Sequence, residues 1–216
     1  MTPRTALVAG AVGRRGEALL NRVLGSGDYE RVAALAEAPM ALGVRALVLA
    51  PLDSLPALAD AFILQSDPEQ ASSRSFYGRD APFVQVHAGN LLAIAHAAVA
   101  RGARRIVLIS PMPAWQQVGD FHRGLGDATE LALAQLPVES LVVLRPAPDT
   151  GRTARGLLER IADVYLSLQL LMMPRSIPTL TSEQLSRAAI EAMRGASAGV
   201  TVLGAERIAD LLGTPP

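Results

Sequence analysis

Residues 4–20 run R-T-A-L-V-A-G-A-V-G-R-R-G-E-A-L-L. An apolar stretch breaks into three glycines, Gly10, Gly13 and Gly16, spaced G-x-x-G-x-x-G. A helical pattern follows at once, with Ala18, Leu19, Val23 and Leu24 on one side. Strand, glycine turn and helix in that order are the context of a dinucleotide-binding turn. Gly10 is expected to permit the tight turn, Gly13 to let the backbone approach a pyrophosphate, and Gly16 to let the helix pack close to the strand. The N–H groups opening the helix then face the phosphates, and the helix dipole favours their charge. The candidate cofactor-binding turn is therefore Gly10, Ala11, Val12, Gly13, Arg14, Arg15 and Gly16; an ordinary glycine-rich loop between a strand and a helix is the other reading.

Strands and helices alternate along the rest of the chain. Arg31 to Ala36 (R-V-A-A-L-A) predicts a second buried strand. Glu37 follows it, about twenty residues past the glycine turn, where an acidic side chain accepts adenosine ribose hydroxyls; a solvated loop carboxylate is the other reading. A third strand is expected over 44–49, then a short helix capped by Asp53 or Ser54, then a strand over 61–64. Residues 65–80 are polar, lack periodicity, and read as a lid or a surface loop. Pro82 to Arg101 predicts a helix with Val86, Leu91, Ile94 and Ala98 on its apolar face. His87 and His96 fall on it and read as structural or surface histidines, since neither has a third ligand or a close carboxylate pair.

Arg105 to Ser110 (R-I-V-L-I-S) is the clearest interior strand, apolar without alternation, as in a strand covered on both faces. Further expectations are a helix over 127–136, a strand over 138–144 running into Arg145-Pro146, and a long helix over 153–173. That helix is apolar on most sides after Val164, as a buried or partner-facing element would be. A helix over 181–194, a strand over 200–203 and a helix over 205–212 complete the pattern. Alternation of this kind predicts a doubly wound parallel sheet, a Rossmann-like α/β fold. One domain over 1–216 is expected, with a small substrate or interaction portion from about residue 147.

Composition narrows the partners. The formal net charge is zero, which gives no pull toward nucleic acid. No apolar run reaches membrane-spanning length, and no secretion signal is visible, so a cytoplasmic location is expected. There is no cysteine for a disulfide or thiolate site. All 20 basic residues are arginine; the chain has no lysine.

Four stretches together resemble the atypical short-chain dehydrogenase/reductase superfamily, above all its small NmrA-like and Tat-interacting-protein-like members. They are G-A-V-G-R-R-G at the start, V-H-A-G-N-L-L-A-I-A-H-A-A in mid-chain, G-A-R-R-I-V-L-I-S, and L-R-P-A-P-D-T-G. The resemblance implies a Rossmann fold that binds NAD or NADP, with Ser110 and Pro146 among the cofactor contacts. It also implies a catalytic Ser followed by Tyr-x-x-x-Lys. Ser110 matches the serine. Carried forward without gaps, the Tyr position falls on His122 and the Lys position on Gly126, with Glu130 at a common acidic position beyond; one residue earlier, the pair is Phe121 and Leu125. The chain's tyrosines, Tyr29, Tyr77 and Tyr165, lie elsewhere. Loss of a positioned acid–base group costs about a hundred- to ten-thousandfold in rate. Several relatives carry Arg where this chain has Glu37, so the carboxylate leans toward NAD, while Arg14 offers a phosphate partner.

Three functions follow as expectations. The first is a catalytically degenerate dinucleotide sensor or scaffold. The second is a working NAD(P)H-dependent oxidoreductase acting on a small carbonyl, quinone or flavin-like substrate, with Ser110 and His122 as its catalytic residues. The third is a structural oligomer. A homodimer through the apolar 157–173 stretch is expected in each case.

Overall fold

The computed structural model describes residues 4–39, 46–66, 82–110, 125, 128–146 and 180–213. Among them, seven strands form one all-parallel sheet: β1 (Thr5–Ala9), β2 (Arg31–Leu35), β3 (Leu47–Ala50), β4 (Asp60–Leu64), β5 (Arg105–Ile109), β6 (Ser140–Arg145) and β7 (Gly199–Gly204). The order across the sheet is β3-β2-β1-β4-β5-β6-β7. The described helices are α1 (Gly13–Leu24), α2 (Ala88–Ala100), α3 (Ala128–Ala134), α4 (Ser182–Arg194) and α5 (Ala205–Leu211).

The central strands are buried along their whole length, which is why their apolar residues do not alternate. Two core layers result. Val8, Phe62, Val107 and Leu144 face α1, α4 and α5; Leu7, Ile63, Leu108 and Val143 face α2 and α3. The expected doubly wound parallel sheet is present. Sequence order reverses at β1, which sends β2 to one side and β4 to the other. The crevice at the carboxyl ends of β1 and β4 is thus the topological switch point, where doubly wound sheets bind ligands.

Two local expectations are corrected. The helix predicted from Pro82 begins at Ala88. His87 is its N-cap: Gly89 N–H donates to His87 Nδ1 (3.2 Å), and His87 N–H donates to Asn90 Oδ1 (2.8 Å). Residues 82–86 instead bridge strand ends. Phe83 pairs antiparallel with Ala36, and Val86 pairs parallel with Gln65. These backbone partners outweigh the helical phase of Val86 with Leu91, because a buried N–H or C=O must find an acceptor or donor. The expected short helix near Asp53 is one 3-10 turn, Leu52–Ser54, preceded by Pro51 and without a side-chain cap. The long helix expected over 153–173 lies outside the described residues, as does nearly all of the 65–80 loop.

Candidate functional site

The glycine turn sits at the switch point. Gly10 closes β1 with φ +82°, and Gly13 opens α1 with φ +69°, a region that side chains rarely enter. A Cβ on Gly10 would overlap the Leu64 carbonyl oxygen and press Val86 Cγ2 at 3.3 Å. A Cβ on Gly16 would overlap the backbone of Gly10 and Ala11. Gly10 therefore lets β1 and β4 meet closely, and Gly16 lets α1 sit directly on the turn.

Helix α1 begins unusually. Its N-cap, Val12, has extended backbone and supplies no side-chain cap. The first turn holds Arg14 and Arg15 and no acid, opposite to what the positive end of a helix dipole favours. Arg14 is exposed, Arg15 half-buried and Ala11 buried. Backbone donors without a capping side chain, an arginine at the surface and glycines that bring no Cβ make a donor set suited to a phosphate-bearing ligand.

Beside this turn lies a row of polar residues. Leu64 pairs with Ile109 and Ile109 with Leu144, so Gln65, Ser110 and Arg145 lie at one level on three neighbouring strands. Their backbones are tied together: Gln65 N–H donates to Ile109 O, and Ser110 N–H to Leu144 O, both at 2.9 Å. Ser110 Oγ donates to Gln65 Oε1 at 3.0 Å, and both side chains are half-buried. Arg145, 1% exposed, forms a buried ion pair with Glu130 of α3. Pro146 follows and is buried.

Glu37 lies at the β2 side of the crevice. It is exposed, and its backbone N–H donates to Pro82 O at 2.9 Å. The segment 82–86 thus runs from the end of β2 to the end of β4, across the top of β1. Of the proposed catalytic pair, Ser110 is at the crevice and His122 lies outside the described residues, as do Phe121 and Gly126. His96 is exposed on α2. Among the described residues no three His, Asp or Glu come together as a metal-binding group.

The opposite end of the sheet carries a second charged cluster that sequence reasoning missed. Asp60 opens β4 and is 1% exposed. Arg105 binds it twice (2.7 and 2.8 Å), and Tyr29 Oη and Arg4 each donate at 2.9 Å. Burial alone would push the Asp60 carboxyl up, but hydrogen bonds from Arg105, Tyr29 and Arg4 outweigh it and hold the carboxyl below its ordinary value. Burial, reinforced by the Asp60 charge and hydrogen bond, pushes the Tyr29 hydroxyl well above its usual range. Four hydrogen bonds, three on Oδ2 and one on Oδ1, hold the carboxylate, so Asp60 serves structure.

No family model matches the chain, and no curated protein does. Solved structures do. An oxidoreductase of the short chain dehydrogenase/reductase family from Burkholderia thailandensis is 19% identical, over 97% of this chain and 94% of that one, with a TM-score of 0.51. UDP-N-acetylglucosamine 4-epimerase from Bacillus cereus is 12% identical, over 96% of this chain and 83% of that one, also at 0.51. The fold is therefore a Rossmann-like α/β fold, shared with these structures and implied by the sequence resemblance. Among the described residues, no helix is long and apolar enough to cross a membrane.

Proposed function

We propose that the protein binds NAD or NADP over the glycine turn and is a catalytically degenerate dinucleotide sensor or scaffold. The observation that carries the binding is the start of α1: glycine backbone at positive φ, no side-chain cap, no acid, and arginines in the first turn. The backbone from Gly10 to Gly16 and Arg14 would hold the pyrophosphate, and Glu37 the adenosine ribose. The group's chemistry, when bound, is hydride transfer at the nicotinamide ring. Degeneracy rests on the absence of any lysine for a Tyr-x-x-x-Lys pair, and on the Ser110 proton being engaged by Gln65.

Calorimetric titration with NAD(H) and NADP(H) tests the reading. Glu37 repels a 2′-phosphate and favours NAD; Arg14, near the turn, can reverse that order, so the titration also ranks the two. No binding of either at millimolar concentration overturns the proposal. The second reading, an oxidoreductase using Ser110 and His122, is favoured by the position of Ser110 at the crevice. It predicts substrate-dependent oxidation of NAD(P)H by small carbonyls, quinones or flavins, lost in His122→Ala with dinucleotide binding unchanged. The proposal includes pairing of the apolar 157–173 stretch with a second copy of the chain; a monomeric mass by light scattering at micromolar concentration contradicts it.

A further inference from the structure

We infer that Gln65 and Ser110 together form a recognition site for a primary carboxamide and, resting on the dinucleotide reading above, that they take the carboxamide of the nicotinamide ring. The two residues leave adjacent strands at the same level, and side chains at register-matched positions of parallel strands point to the same face. Their backbone N–H groups are fixed by Ile109 O and Leu144 O, so neither side chain can drift far from the other.

The donor and acceptor inventory decides the ligand. An amide has two N–H donors and one acceptor oxygen; a hydroxyl has one donor and two lone pairs. The bond from Ser110 Oγ to Gln65 Oε1 uses the serine's proton. Gln65 keeps its NH2 group and Ser110 keeps its lone pairs. A carboxamide answers both: its oxygen accepts from Gln65 Nε2, and its NH2 donates to Ser110 Oγ. Turning the Gln65 amide over exchanges the two roles and still leaves one donor and one acceptor. Neither group is charged, and the neighbouring Arg145 is paired with Glu130, so the site fits a neutral polar group better than a carboxylate or phosphate. Position agrees. Gln65 follows Leu64, whose carbonyl abuts Gly10, while Glu37 lies on the other side of β1. A ligand laid across the glycine turn has one end at Glu37 and the other at Gln65 and Ser110.

Ser110 is on this reading a recognition residue, and Gln65 both touches the ligand and positions the serine. The test is calorimetry on the full chain with three probes: NAD+, 3-acetylpyridine adenine dinucleotide, in which a methyl ketone replaces the carboxamide, and ADP-ribose, which lacks the ring. The parent should bind NAD+ about five- to tenfold tighter than the ketone analogue. Gln65→Leu and Ser110→Ala should each abolish that preference, and Ser110→Thr should keep it, with ADP-ribose affinity the same in all four proteins. A preference that persists in both Gln65→Leu and Ser110→Ala, or a parent without one, overturns the inference while the dinucleotide reading stands. If the parent binds none of the three probes, the dinucleotide reading fails and takes the inference with it.

Discussion

The two ends of the sheet hold charged and polar groups in opposite ways. At the amino end, Asp60 is wrapped by Arg4, Tyr29 and Arg105, and both carboxylate oxygens accept inside the protein. At the carboxyl end, α1 begins without a side-chain cap, and Gln65 and Ser110 satisfy each other only in part. Closed hydrogen bonding stabilises and commits the Asp60 carboxylate to partners inside the protein. Open hydrogen bonding sacrifices some stability and keeps donors available. Doubly wound folds place ligands at the carboxyl end, and the chemistry of this chain divides along the same line.

The largest expected effect is at the closed end. Asp60→Ala leaves two guanidiniums and a buried phenol without their acceptor and should cost about 3–5 kcal/mol in urea unfolding. It should not change dinucleotide affinity in the fraction that remains folded. The same cluster sets a pH dependence. Asp60 has a folded pKa below its unfolded value, so its stabilisation is present above about pH 4 and is lost as pH falls through the folded value. Tyr29 works on the alkaline side: its folded pKa is raised, so its contribution is complete below about pH 10 and is lost at higher pH. Asp60→Asn should flatten the acid limb of a stability–pH curve; an unchanged limb would place the acid sensitivity elsewhere.

Glu130→Gln comes next. It breaks the buried pair with Arg145 and should cost about 3 kcal/mol, whereas the double change Glu130→Leu with Arg145→Met should cost far less, because it removes both desolvated charges together. Thermal unfolding of the two variants separates pairing from packing.

Gly16→Ala is smaller but reverses a usual sign. Ala in a helix is ordinarily better than Gly by about 0.5–1 kcal/mol. Here the added Cβ meets the Gly10 and Ala11 backbone, so a loss of about 1–3 kcal/mol is expected in urea unfolding. The smallest effect is Arg104→Ala. Its pair with Glu139 is 75% and 60% exposed, and its loss should change stability by at most about 1 kcal/mol.

The same division explains what was legible in the sequence. The glycine turn, the uninterrupted R-I-V-L-I run of β5 and the alternation of strands and helices are local signals, and they led to the doubly wound sheet. Asp60 was invisible as a centre because its partners are spread from Arg4 to Arg105 and meet only through strand order. Gln65 looked like the first residue of a polar loop, since only the β4–β5 register brings it to Ser110. The stretch 82–86 misled because its apolar residues keep helical phase with α2, while its backbone partners, Ala36 and Gln65, are far away in sequence. Sequence shows residue type and local period; partners held by register appear only once the sheet is assembled.

Arg14→Glu sets stability and binding at the open end directly against each other. Arg14 is exposed in the first turn of α1, so the change should leave the fold intact and, by placing an acid at the positive end of the helix dipole, add about 0.3–1 kcal/mol in urea unfolding. The same change sets a negative charge against the pyrophosphate and should weaken NAD+ and ADP-ribose binding by about tenfold or more in calorimetry. A variant that is at least as stable as the parent and has lost dinucleotide affinity is the predicted result; unchanged affinity in that variant contradicts ligand binding at the start of α1.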